Sequence, residues 1–274
     1  MSHENTTINN LALHTAKLRV SEPTLALFHE EVKEKLVLFG KFWGTKIFYP
    51  ASVRETLARS WRAFSGLTVK KDASNVFIFT FSRVEDLERA WNGRPWCLSN
   101  NLLVLQRWTP DSSLESIDFS CSPFWVHAFG LPASQISKRN AALIGSLFEK
   151  MIGMDARDDG EGDLGSIMRV KVLVKVTEAF RRGFFTTEVN RKEKFVSFLY
   201  ERFPDICFKC GLVGHYSISC SNPVEVATQE GVPDYGLWMR YGSGKLPPSL
   251  GSPAVPVLNS LAPPFSIAAI PSQP

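Results

Sequence analysis

Cysteine is scarce: there are five in 274 residues, three of them between Cys207 and Cys220, which leaves Cys97 and Cys121 isolated. That distribution excludes the spaced disulfide framework of small secreted domains and points to a reduced, intracellular setting. Long apolar runs are also missing. None approaches the roughly 18 residues that span a bilayer, so no membrane association is expected. The opening MSHENTTINN has neither the basic nor the apolar stretch of a secretion signal. No Gly-rich phosphate loop occurs, and no serine or cysteine carries a local activating signature, so the expectation is a protein that is not an enzyme. An excess of one charge sign is small too: 31 basic against 27 acidic residues give a net +4, which neither demands nor excludes a polyanionic partner.

What remains is a globular composition, 44% hydrophobic and 21% charged. The first thirty or so residues read as a loose arm. From Lys35, KLVLFGKFW has strand length, and Pro50 marks the entry to a helix starting at Ser52, with Ser52 and Glu55 at capping-box spacing. Val53, Leu57, Trp61 and Phe64 then share one helix face. LTVKK, a turn at DASN and VFIFTF predict a hairpin. Ser82 with Glu85 opens a second helix bearing Val84, Leu87 and Trp91, and LLVLQRW is a further strand. Strand, helix, strand, strand, helix, strand from about Lys35 to Trp108 is the ferredoxin-like or RRM-like order.

TPDSSLESIDFSCSP has the composition of a linker. FWVHAFGLP and a periodic segment from Ser134 to Ile152 then predict a strand and a helix of a second α/β unit. In RVKVLVKV, Val170, Val172, Val174 and Val176 alternate with Arg169, Lys171, Leu173 and Lys175, so one face packs and the other is basic. FFTTEV and KFVSFLYERF continue as strands. The chain is therefore read as α+β: a flexible arm (1–33), a ferredoxin-like domain (34–110), a second, smaller α/β unit (111–203), a metal-binding loop (204–222) and a mostly disordered Pro/Ser-rich tail (223–274). No internal sequence repeat is evident, and a shared architecture of the two units stays open.

The loop is DICFKCGLVGHYSISC. Cys207, Cys210, His215 and Cys220 offer three sulfurs and one nitrogen, a closed tetrahedral shell suited to one structural zinc ion and without an open position for a catalytic water. Gly211 and Gly214 permit the backbone conformations of a loop wrapped round a metal. A redox reading of the first two cysteines would leave His215 and Cys220 unexplained.

The spacing resembles the CX2CX4HX4C zinc knuckle (CCHC-type zinc finger) of retroviral nucleocapsid and retrotransposon Gag-like proteins. That resemblance implies single-stranded RNA or DNA as partner, with bases stacked on the large side chains that follow the first cysteine and the histidine, here Phe208 and Tyr216. The loop departs from the family in having a single basic residue, Lys209. With LLVLQRWTP, FWVHAFGLP and YGLWMR (Tyr235 to Arg240), the chain from about Lys35 to Arg240 resembles plant proteins that pair a domain of unknown function (DUF4283-like) with this knuckle. Such proteins look derived from the first open reading frame region of LINE-type retrotransposons. No reverse transcriptase or endonuclease segment is present, so the implied activity is binding alone.

Candidate phosphate contacts lie upstream: Arg169, Lys171 and Lys175 on one strand face, then Arg181, Arg182, Arg191, Lys192 and Lys194. The first sheet is a poorer candidate, because Val76 and Ile78 stand where an RRM presents stacking aromatics and Phe77, Phe79 and Phe81 face the core. This leaves that domain open to a protein-interaction or scaffolding role, with the knuckle as a structural clip, or to self-association. The acidic stretch DARDDGEGD has Arg157 and Ser166 where a calcium loop needs ligands, and reads as a solvated hairpin. His127, between Trp125 and Phe129, reads as a satisfied sheet residue.

Overall fold

Alternation in VLFGKFW sends Leu38, Gly40 and Phe42 to one side of strand β1 (Val37–Trp43) and Val37, Phe39 and Trp43 to the other. Gly40 is required by close approach: a Cβ there would lie 2.6 Å from the Phe79 ring and 2.9 Å from Leu103. The computed structural model describes residues 35–73, 75–110, 114–155, 168–187, 193–222 and 234–247. The expected arm (1–33) and the acidic hairpin after Asp155 lie outside these residues.

Helix α1 (Pro50–Trp61), strands β2 (Thr68–Ala73) and β3 (Val76–Thr80), helix α2 (Val84–Asn92), and strands β4 (Trp96–Leu98) and β5 (Asn101–Arg107) complete the first unit. Its antiparallel sheet has the order β2-β3-β1-β5-β4. This is the ferredoxin-like order with one extra edge strand, β4, which sequence patterning did not reveal. Val53, Leu57 and Trp61 of α1 and Leu87 and Ala90 of α2 bury themselves on Leu38, Phe42, Phe77, Phe79, Leu103 and Leu105. Trp61 is the largest of these side chains and meets Phe79 edge-on at 5.1 Å. Trp61→Ala is expected to lower unfolding free energy by about 3–5 kcal/mol, the usual cost of truncating a buried large aromatic. Urea titration checks this; a loss below about 1 kcal/mol would mean the layer refills the space.

The second unit repeats this plan. Strand β6 (Cys121–Phe129), helix α3 (Lys138–Gly145), and strands β7 (Lys150–Asp155), β8 (Met168–Lys175), β9 (Gly183–Thr187) and β10 (Glu193–Tyr200) form a sheet ordered β7-β8-β6-β10-β9, antiparallel throughout and position for position the order of the first. One element is missing: where α2 joins β3 to β4, only Val176–Arg182 joins β8 to β9. Apolar side chains on that side of the sheet come instead from outside the unit. Phe203, Ile206, Val213, Trp238 and Met239 join the buried cluster around Phe124, Phe180 and Tyr200. Phe180 and Phe203 pack on the Tyr200 ring at 5.3 and 5.0 Å.

The two units share a core. Val37, Phe39, Leu102 and Val104, on the face of the first sheet opposite its helices, are buried in the same cluster as the second sheet, with Val76 and Ile78 packed beside them. The surface that an RRM keeps open for bases is therefore covered within this chain.

Three local expectations need correction. Neither serine caps its helix. Proline at the first turn of α1 already has a fixed φ and no N–H to satisfy, so the helix starts at Pro50 and takes in Ser52; Ser82 donates its hydroxyl to Gly66 O instead. Phe64 falls beyond the end of α1 and is 77% exposed. The helix expected from Ser134 to Ile152 is only Lys138–Gly145, capped by Ser137, whose Oγ accepts the Asn140 N–H, and MIGMD pairs with β8 as strand. Of the tail read as mostly disordered, the structure describes residues 234–247, where Trp238 and Met239 enter the apolar layer.

Candidate metal centre and its surroundings

β10 delivers the chain through Phe203 and Pro204 straight into the cysteine loop, so the loop starts from the sheet rather than from a free linker. Ile206 and Val213, both buried, form an antiparallel bridge, and Cys207 N–H donates to Leu212 O (2.8 Å) and Gly211 N–H to Cys207 O (2.8 Å). This tight turn brings the two halves of the ligand set together. Gly211 has φ +75°, and a Cβ on it would lie 2.3 Å from the Tyr235 ring, so conformation and packing both require glycine.

The ligand atoms of Cys207, Cys210, His215 and Cys220 all lie within 4.8 Å of one another. Cys210 Sγ is 3.3 Å from His215 Nε2. A tetrahedral zinc with ordinary bond lengths separates neighbouring S and N ligands by about 3.5 Å, so the group fits such an ion. Before a metal binds, the thiolate form is supported locally at Cys207, whereas burial and the neighbouring Cys207 and Cys210 sulfurs push the Cys220 thiol up. Burial pushes the Cys207 thiol up, but the Cys210 and Lys209 N–H groups and Ser217 overcome this and bring it down to about 6. Ser217 Oγ accepts the Phe208 N–H at 2.9 Å and sits 3.7 Å from Cys207 Sγ, where its own proton can reach the sulfur. Asn222 Nδ2 donates to Cys210 Sγ at 3.5 Å. Burial instead pushes Cys97, far from this group in sequence, up to about 12, so that thiol stays protonated and inert.

A returning strap fixes the loop to the second sheet. Tyr235 packs on Gly211, Phe180 N–H donates to Gly211 O, Arg240 pairs with Asp205 at 3.0 Å, and Tyr241 N–H donates to Tyr200 O. The outer side of the loop is different: Phe208 is 43% exposed, Tyr216 53% and Ile218 96%, with Lys209 exposed between them. Trp43 of β1, to which the sequence analysis gave no role, borders a shallow open cleft with Asn101, Asp205, Gly214, His215 and Tyr216.

The upstream basic residues divide. Arg181 is exposed, and the Arg182 guanidinium lies 4.9 Å over the Tyr235 ring, next to the loop. Arg169, Lys171 and Lys175 do not form the open basic stripe that alternation implied. Arg169 is held by Glu201 (2.6 and 3.0 Å) and Asp155 (3.1 Å) and lies over Trp125, and Lys175 pairs with Glu178 at 2.6 Å. Lys171 donates to Asn92 O across the seam between the units. Arg191 and Lys192 lie outside the described residues. His127 is a buried sheet residue rather than a ligand, but it is only half satisfied: Nε2 lies 2.7 Å from Glu201 and the ring stacks on Tyr241 at 3.8 Å, while Nδ1 is buried with no hydrogen-bond partner among the described residues.

Residues 30–116 match the domain of unknown function DUF4283. The DUF4283 match thus spans β1 to β5 and the start of the connection to the second sheet. No curated protein matches the chain. Among solved structures, the first two RRM domains of the yeast poly(U)-binding protein Pub1 are 14% identical over 50% of this chain and 81% of that one, with a TM-score of 0.21, at which the two do not superpose as wholes. Among the described residues no helix is long and apolar enough to cross a membrane.

Proposed function

We propose that this chain binds single-stranded nucleic acid, RNA or DNA, through a zinc knuckle at Cys207, Cys210, His215 and Cys220, without catalysis, as a retrotransposon Gag-like protein derived from LINE-type elements in a plant lineage. Its place is intracellular, in nucleus or cytoplasm. The observation that carries this reading is the pairing of a four-ligand group with two exposed aromatic rings, Phe208 and Tyr216, on the outer side of the loop. Zinc closes the turn and so fixes where those rings stand; bases stack on them with little demand on sequence. Lys209, Arg181 and Arg182 are the phosphate contacts nearest the rings.

Fluorescence anisotropy of the metal-loaded full chain against a labelled single-stranded RNA, at two salt concentrations, tests it. Wild-type binding is expected to weaken linearly in log salt, and Phe208→Ala/Tyr216→Ala to weaken it by at least about tenfold, since each lost stack is worth about 1–3 kcal/mol. Absence of binding at low salt would overturn the reading.

A second reading has its own support. The inner side of the loop, with the strap, packs into the apolar cluster of the second sheet. A knuckle used only as a structural clip in a protein-interaction or scaffolding protein would show that packing, and partner binding through an apolar surface would respond weakly to salt.

A further inference from the structure

The C-terminal turn of α2 lies at the seam between the two units, and three cations from three separate segments converge on it. Lys171 Nζ, from β8, donates to Asn92 O at 3.3 Å, and Arg202 Nη1, just past β10, donates to Gly93 O at 2.6 Å. Arg94 donates through Nε to Trp91 O and lays its guanidinium 3.3 Å over the Trp91 ring. Their hydrogen-bond partners are all backbone carbonyls; among the described residues none of the three pairs with a carboxylate. The nearby acids are already engaged, Glu201 by Arg169, Asp205 by Arg240 and Glu88 by Arg107.

We infer that Arg94, Lys171 and Arg202 form a phosphate-binding site, a second anchor that holds a backbone phosphodiester of the single strand whose bases stack on Phe208 and Tyr216. The inference rests on the nucleic-acid reading above. A helix C-terminus attracts one cation readily, but its partial negative charge of about half a unit does not neutralise three. The mutual repulsion shows on the groups themselves. Burial, then the charges of Arg94, Arg169 and Arg202, lowers Lys171, and burial with Arg107 brings Arg94 down to about 10. Cations held together by the fold with no carboxylate partner favour an anionic ligand. Position agrees: Arg202 and Cys207 are five residue steps apart, a span of at most about 18 Å, so one strand can reach both places. Trp91, Trp96 and Trp125 lie under the guanidinium groups of Arg94, Arg202 and Arg169, so no base stacks there and the contact is to the backbone.

The test uses the metal-loaded full chain and a labelled single-stranded RNA, with Lys171→Gln, Arg202→Gln and the double variant. Each lost phosphate contact is expected to reduce the log–log salt slope by about 0.7, and the double variant to weaken binding severalfold at low salt, while Phe208→Ala/Tyr216→Ala still weakens what remains. Melting temperature separates this from a structural role. A cation kept for a ligand repels its neighbours, so Lys171→Gln should hold or raise Tm while binding falls; a cation kept to cap the helix should lower Tm and leave the slope alone. RNA binding that keeps its full salt slope in the double variant would overturn this site and leave the knuckle reading standing. No binding by the wild type at low salt would overturn both.

Discussion

Stripping the metal with a chelator is expected to lower the Tm of the chain by about 10 °C or more and to release the strap with the loop. In free finger peptides zinc contributes about 10–16 kcal/mol of folding energy near neutral pH, because so short a loop has no core of its own. Here the same loop is a wall of the second unit. Ile206 and Val213 are buried in the main cluster, Gly211 carries the Tyr235 ring, and Trp238 and Met239 enter behind it. Without the ion, three thiols and an imidazole no longer share a centre, the turn opens, and those side chains lose their seat. For a domain of this size each kcal/mol moves Tm by roughly 2–4 °C, so loss of a few kcal/mol is ample. Calorimetry with and without chelator measures the shift, and amide exchange at Phe180 and Tyr241, whose N–H groups donate to Gly211 O and Tyr200 O, locates it. Cys207→Ser should act in the same direction. An unchanged Tm and unchanged exchange, after elemental analysis shows the metal gone, would mean that packing alone holds the loop.

This coupling joins the two readings of the knuckle. The inner side, Ile206 and Val213, serves the fold, and the outer side, Phe208 and Tyr216, faces solvent. The same four residues, holding a metal, would orient both sides, so metal loss is expected to displace the exposed rings by melting the wall behind them.

Strands were legible because burial on one face imposes a period of two. In β8 the valines at 170, 172 and 174 are buried and the residues between them are not, as the pattern required. The ligand set was legible because its four members lie within one short stretch, where spacing fixes geometry. Relations across long separations left no local sign. Arg169 and Glu201 are 32 residues apart, and nothing near RVKVLVKV announces that its first cation is taken. The architectural repeat was hidden for a related reason: two sheets with the same strand order need the same alternation, not the same residues, and the second has no helix between its third and fourth strands. The convergence on α2 was equally invisible, since Arg94, Lys171 and Arg202 come from segments that pattern reading treats separately.

Glu201→Gln is the substitution expected to disturb the second unit most for the smallest change of shape. Glu201 accepts from Arg169 through both oxygens, at 2.6 and 3.0 Å, and lies 2.7 Å from His127 Nε2. An ionised carboxylate only accepts, so His127 donates through Nε2. An amide cannot replace this: its oxygen can take the place of Oε1 and serve both Arg169 Nε and His127 Nε2, but its NH2 then faces the Arg169 Nη2 donor. That donor loses its acceptor and the guanidinium its counter-charge, at an expected cost of about 2–4 kcal/mol, toward the lower end because the carboxylate is not fully buried. The pH dependence carries the signature. Burial raises the Glu201 carboxyl, but the hydrogen bonds from His127 and Arg169 and the Arg169 charge bring it well below its ordinary range, to about 2. Below pH about 4.5 the unfolded chain takes up a proton here that the folded chain refuses until about pH 2. Stability from this group is therefore full above that window and is lost as pH falls through it. The gap between wild type and Glu201→Gln should be widest at neutral pH and narrow on acidification, which urea titrations at pH 7, 4 and 3 measure; a gap independent of pH would sink the assignment. Tyr241 stacks on His127 in planes 7° apart, so the loss should also reach the strap, and through it the metal loop, as faster amide exchange at Tyr241.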